Sequence, residues 1–195
     1  MQGTVTDRTR RFETATLMHL PAAHNLARWL LRDAQQAEDA VQEAYLRALR
    51  FFDDMRGDDA KPWLMAIVRN TCYDCMRERR RLGDPIEFDE TGDSERAGPA
   101  SASWTDASVD PAVLWEKHAL GGRVNAAIEA LPPAFREVIV LRELEDMSYE
   151  DIARVACIPL GTVMSRLSRA RTLLREALRA EHETIGAARR RDAIA

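Results

Sequence analysis

The sequence predicts an all-α chain built as two small helical halves joined by a flexible acidic segment. Three observations carry this. Apolar residues recur three and four apart through residues 17–76 and again through 124–177, the period of helices that bury one stripe. Strand signals are nearly absent: the β-branched cluster Val138-Ile139-Val140 is short and sits inside a helical pattern. Between the halves, residues 83–112 lose all period and hold three prolines, three glycines and many Ser and Ala.

Before residue 82 the pattern gives three helices. The first carries Leu17, Leu20, His24, Ala27 and Leu30/Leu31, with Pro21 either opening its main segment or kinking it. Asp33 is a candidate N-cap for the second, whose stripe is Ala37, Val41, Ala44/Tyr45, Ala48 and Phe52. The polar run Asp53–Lys61 breaks the period. Pro62 suits the first turn of a third helix, which turns Leu64, Ile67/Val68, Cys72 and Cys75/Met76 inward and ends in the basic run Arg77–Arg81.

The segment 83–112, if extended, reaches on the order of 100 Å at about 3.3 Å per residue, so the halves it joins need not touch. Beyond it, Val124, Ala127, Ile128 and Leu131 form a stripe that Pro132-Pro133 interrupts. Phe135, Val138, Ile139 and Arg142 begin the next face. Ser148 has the features of an N-cap with Asp151 three residues on, close to a capping box, ahead of a short helix holding Ile152 and Ala153. A turn at residues 157–161 follows. A long helix from about Gly161 to Ala180 then buries Val163, Leu167, Ala170, Leu174 and Ala177.

Charge refines this plan. The 195 residues carry 28 basic and 32 acidic side chains, net −4, which for a whole chain argues against nucleic-acid binding. The balance is uneven. Residues 1–82 hold 14 basic and 12 acidic groups, 83–112 hold one against eight, and 113–195 hold 13 and 12. The linker alone is therefore −7 and the two helical halves together +3. Its sign would repel it from DNA and suit it to a basic nucleic-acid channel.

Other chemistries find little support. Cys72, Cys75 and Cys157 are an odd number and too few for a disulfide scaffold. Cys72 and Cys75 lie i,i+3 on a helix stripe with no second Cys/His pair nearby, so they read as structural thiols rather than a metal or redox pair. His19, His24, His118 and His182 share no ligand spacing, and no phosphate-binding glycine loop, nucleophile elbow or paired-carboxylate arrangement occurs. No enzyme activity, metal site or cofactor is expected. The opening residues MQGTVTDRTRR lack the apolar core of a secretory signal, and no run of about 18 apolar residues offers a membrane span. These features predict a cytoplasmic protein in a reducing compartment.

The positive signal is in the C-terminal half. A short helix, a tight turn and a longer helix with an arginine-rich outer face make the helix-turn-helix pattern. Residues 160–180 carry Arg166, Arg169, Arg171, Arg175 and Arg179 against one acid, Glu176. Such a helix suits the major groove, where arginine pairs bidentately with guanine and neutralises phosphates. Thr162, Ser165 and Arg169 fall opposite the Val163–Leu167–Ala170 stripe. An ordinary helical hairpin with a solvated arginine face has the same pattern.

The runs AEDAVQEAYLRALRFF (37–52), PWLMAIVRNTCYDCMRERRR (62–81), ALPPAFREVIVLRELEDMSYEDIA (130–153) and IPLGTVMSRLSRARTLLREAL (158–178) together resemble the bacterial RNA polymerase sigma factors. In particular they resemble the extracytoplasmic-function (ECF, group IV) class, which keeps only two domains. The resemblance covers nearly all of both halves, in order; the linker and residues 181–195 carry no family signature. It implies a sigma region 2 domain over 1–82, the linker over 83–112, a sigma region 4 helix-turn-helix domain over 113–180 and a tail over 181–195.

It also implies roles. Asp39, Gln42 and Glu43 match the face that docks on core RNA polymerase. The loop Asp53–Lys61, with Arg56 and Lys61, and the helix after it match the reader of the promoter −10 element. There Trp63 would stack on unpaired bases, Asn70 would contact the opened strand, and Arg77 with the basic run to Arg81 would track phosphates. Arg142, Ser165 and Arg169 match contacts to the −35 duplex, with Thr162 and Arg166 near phosphates. Met164 and Ser168, on the same helix, depart from the family pattern, which favours Lys or Arg at the first and a larger side chain at the second. Cys157 holds a turn position where glycine is frequent. The resemblance implies core RNA polymerase and promoter DNA as partners and control by an anti-sigma factor. A stand-alone helix-turn-helix regulator binding duplex DNA as a dimer, and a helical adaptor that binds no DNA, are the alternatives.

Overall fold

A computed structural model of the chain describes residues 2–57, 59–82 and 121–192, with side chains over 7–57, 59–82 and 121–179. The predicted linker 83–112 lies outside the described residues, as do 113–120 and 193–195. Among the described residues every regular element is helical.

The N-terminal half has four helices where the pattern suggested three: α1 (Gln2–Thr16), α2 (Leu20–Leu31), α3 (Ala34–Arg50) and α4 (Ala60–Arg81). A 3₁₀ turn at Leu17–His19 separates α1 from α2, and Pro21 sits in the first turn of α2, where a missing N–H costs nothing. Leu17, expected inward, is instead 51% exposed on this turn. Arg32 closes α2 in the left-handed region (φ 58°) and Asp33 at once caps α3, accepting from the Gln36 N–H at 2.8 Å. Two residues therefore make the whole α2–α3 corner.

A second 3₁₀ turn (Phe52–Asp54) leads into the loop before α4, where Gly57 takes φ +92°, a conformation that suits glycine. Asp59 starts α4 by accepting from the Lys61 N–H at 3.0 Å. Pro62 still falls in the first turn. Helices α2, α3 and α4 pack on one another, and α1 is fastened by edge-to-face aromatics. Phe12 meets Tyr45 of α3 at 6.1 Å and Phe52 at 5.4 Å between ring centroids.

The C-terminal half runs through α5 (121–129), α6 (Pro133–Ile139), α7 (Tyr149–Ala156) and α8 (Leu160–Asp192). Val138-Ile139-Val140 is helical and wholly buried, but the helix loosens there into a π turn over Val140–Leu144, closed by the Glu145 N–H to Val140 O at 3.1 Å. Helix α8 continues twelve residues past the expected end at Ala180, so residues 181–192 of the supposed tail are helical.

The halves are not independent. Helix α7 lies on α4, and α6 with the π turn lies on α2. The buried apolar side chains from Phe12 to Ala170 form one continuous cluster. A long linker permits separation but does not oblige it; two complementary faces decide the outcome.

Candidate nucleic-acid interface

Helices α7 and α8 form the predicted helix-turn-helix. Ser148 caps α7, its Oγ accepting from the Asp151 N–H at 3.1 Å and donating to the Asp151 carboxylate at 2.6 Å. Asp151 in turn takes Arg154. Cys157 ends α7 in the left-handed region (φ 54°, ψ 45°), and the Ile158 N–H reaches back to Ala153 O at 3.1 Å in a Schellman-type stop. The turn angle is thus set by backbone bonds and by buried Ile152, Val155, Val163 and Leu167.

That geometry exposes one face of α8. Met164 (48% exposed), Ser165, Ser168 and Arg169 stand on it together. Thr162 and Arg166 are half-buried at its edge, and Ser165 Oγ donates to Thr162 O at 3.0 Å. Arg142 does not join this face. Its guanidinium donates to Met147 O at 2.7 Å and lies 5.3 Å from the Tyr149 ring centroid, bracing the approach to α7. Arg171 is engaged by Glu143 at 2.7 Å.

On the N-terminal half, Trp63, Asn70 and Arg77 recur every seven residues and so follow one stripe of α4. Trp63 is half-buried, its ring 6.3 Å from that of Phe52; Asn70 is exposed and accepts from Arg69 at 3.2 Å; Arg77 is exposed and paired with Asp74. Arg56 is exposed on the loop. Lys61 leaves the group, its Nζ donating to Glu145 O at 2.5 Å across the two halves. Asp39, Gln42 and Glu43 share an exposed face of α3, where Glu43 pairs with Arg47 at 2.8 Å and Arg47 reaches Asp74 of α4 at 3.0 Å.

No group of His, Cys, Asp and Glu among the described residues could hold a metal ion. Burial raises the Cys72 thiol to about 12 and pushes Cys75 up as well, so both stay protonated thiols near neutral pH. No described helix is long and apolar enough to cross a membrane.

Residues 17–82 match the family model for sigma-70 region 2, and residues 122–174 match that for sigma-70 region 4. The chain belongs to the sigma-70 family. Over 171 residues it is 34% identical to the RNA polymerase sigma-H factor of Pseudomonas aeruginosa, covering 87% of this chain and 86% of that one. Over 136 residues it is 38% identical to the ECF RNA polymerase sigma-E factor of Escherichia coli, covering 68% and 69%. Among solved structures it resembles the sigma factor RpoE, determined in complex with the anti-sigma factor NepR from Bartonella quintana. There the TM-score is 0.64 at 31% identity, over 87% of this chain and 98% of that one. These relatives make it an ECF sigma factor, an initiation factor rather than an enzyme.

Sigma region 2 is therefore α2 to α4 and sigma region 4 is α5 to the middle of α8. Helix α1 and the end of α8 lie outside both. Sequence reasoning missed the polar residues through which the sigma factor's two regions meet. Asn25 donates to Glu145 at 2.6 Å; Glu137, with no exposed surface, takes Arg69 and the Tyr73 hydroxyl (3.2 Å); Arg136 reaches Trp29 O at 3.2 Å. All but Glu137 look like ordinary surface residues in the sequence. The one available signal was Glu137, an acid at a position the helix period turns inward beside Val138 and Val140.

Proposed function

We propose that this sigma factor binds core RNA polymerase and directs promoter-specific initiation. The exposed α3 face (Asp39, Gln42, Glu43) docks on the polymerase. The loop before α4 and the α4 stripe (Arg56, Trp63, Asn70, Arg77) capture the opened −10 strand, and Lys61 joins them once its bond to Glu145 O is released. The face of α8 (Thr162, Met164, Ser165, Arg166, Ser168, Arg169) reads the −35 duplex, and Arg142 supports it from behind through Met147 O and the Tyr149 ring. Residues 1–82 and 113–180 are the two working units and 83–112 the acidic connection. Catalysis belongs to the polymerase, and the chain acts in the cytoplasm, where that enzyme works. An anti-sigma factor controls it, as its structural relative is bound by one.

The observation that carries this reading is the exposed Met164–Ser165–Ser168–Arg169 face on a capped, rigidly angled helix-turn-helix, joined in one chain to a sigma region 2.

Reconstitution with core RNA polymerase on a promoter library tests it. Run-off transcripts that core alone does not make are expected. No specific transcript on any promoter would reject the reading, and a footprint on duplex DNA by the free chain would favour a stand-alone regulator instead.

A further inference from the structure

Four side chains of sigma region 2 converge on two acids of sigma region 4. Lys61 and Asn25 hold Glu145; Arg69 and Tyr73 hold Glu137. The second set has the geometry of an anion cradle. Arg69 and Tyr73 are one turn apart on α4, and the guanidinium carbon sits 4.3 Å from the Tyr73 ring centroid. Arg69 Nε donates to one oxygen of Glu137 and Tyr73 OH to the other. Burial first, and then the Glu137 charge, push the Tyr73 phenol well above its ordinary 10.0, so it remains a donor.

The position of this cradle is informative. Arg69 precedes Asn70 and lies two turns beyond Trp63, so the cradle adjoins the stripe proposed to hold the opened strand. A carboxylate held by an arginine and a hydroxyl offers the same acceptors as two oxygens of a phosphodiester. Closing the halves strips Glu137 of water, a cost that its two donors offset and that opening removes by rehydrating the carboxylate.

We infer that Arg69 and Tyr73 form a phosphodiester-binding cradle on α4 for single-stranded DNA, which the Glu137 carboxylate occupies while the two halves are closed on one another. This rests on the sigma reading and adds a site to it. Opening exchanges the carboxylate for a strand phosphate, so the closed chain withholds part of its own DNA-binding charge. The affinity of the free chain for a strand is then lowered by the fraction closed.

The test uses the full chain without polymerase and a fluorescent, mixed-sequence single-stranded oligonucleotide. Glu137→Gln should bind it about tenfold more tightly than wild type. The gain should vanish when the oligonucleotide carries uncharged methylphosphonate linkages, and vanish again in Glu137→Gln combined with Arg69→Gln or Tyr73→Phe. Unchanged affinity in a folded Glu137→Gln chain overturns the inference, as does a gain that survives either control. Should the substitution unfold the chain, hydrogen exchange on the wild type answers the same question. Saturating oligonucleotide should speed amide exchange in α6 around Glu137, and unchanged or slower exchange there overturns the cradle. Failure of core-dependent run-off would reject the sigma reading without touching either measurement.

Discussion

Arg136 reaches Trp29 across the two halves: its Nη1 donates to the Trp29 main-chain oxygen at 3.2 Å, over 107 residues of sequence. The same guanidinium donates to Ile128 O, Glu129 O and Leu131 O at 3.2, 2.6 and 2.7 Å. It therefore closes the C-terminal end of α5, where a cation is favoured, while fastening sigma region 4 to α2. Burial, and next the charge of Arg32, lower its pKa to about 10, still well above neutrality, so the group stays a cation at pH 7.

Replacing Arg136 by Met leaves those carbonyls without their donor in a buried corner. We expect a loss of about 3 kcal/mol, within the range for a broken buried network. Urea denaturation followed by circular dichroism measures it. A change under about 0.5 kcal/mol would show that water substitutes for the guanidinium.

Cys157 pays for the tight turn with a left-handed backbone (φ 54°) on an exposed side chain. A glycine there removes the clash of Cβ with its own backbone and loses little contact. Cys157→Gly should stabilise the chain by about 1 kcal/mol, and Cys157→Ala, which keeps the Cβ, should not. Equal melting temperatures for the two variants would contradict this.

These features differ in how far the sequence displays them. The caps at Asp33 and Ser148 are legible because a cap is a local bond, read from residue type and a three-residue spacing. The turn at Cys157 and the inward stripe of α8 are legible for the same reason. Helix α1 is not, because its threonines have low helix propensity and its support comes from Phe12 meeting Tyr45 and Phe52. The π turn after Ile139 follows a run, Arg136–Leu141, that is buried on every side, so no one-sided stripe is present whose phase shift would reveal it. The docked halves are least legible. Arg69 and Glu137 are 68 residues apart, and nothing in either neighbourhood names the other.

His19 lies half-buried on the turn between α1 and α2. Burial first and the charge of Lys61 second lower its pKa below the ordinary 6.5, against a weaker pull from Asp59. The folded chain then binds this proton less tightly than the unfolded chain. Its contribution to stability falls as pH drops through 6.5 and levels off below the folded value. Urea midpoints between pH 5 and 7.5 should therefore decline on acidification for wild type, with a shallower slope for His19→Gln. Parallel slopes would assign the decline to other groups.

The two DNA-reading surfaces can be separated by template. Asn70 and Arg169 are both exposed, so replacing either by Ala should leave the melting temperature within experimental error. With core polymerase on a matched promoter, each should weaken binding by about 1–3 kcal/mol if it touches a base edge. The losses should part when the −35 duplex is removed from a template already opened at −10. Arg169→Ala should then equal wild type, because its partner is gone, while Asn70→Ala should keep its deficit. An Arg169→Ala loss that persists on the shortened template would mean that α8 acts through polymerase or through region 2, not through the upstream duplex.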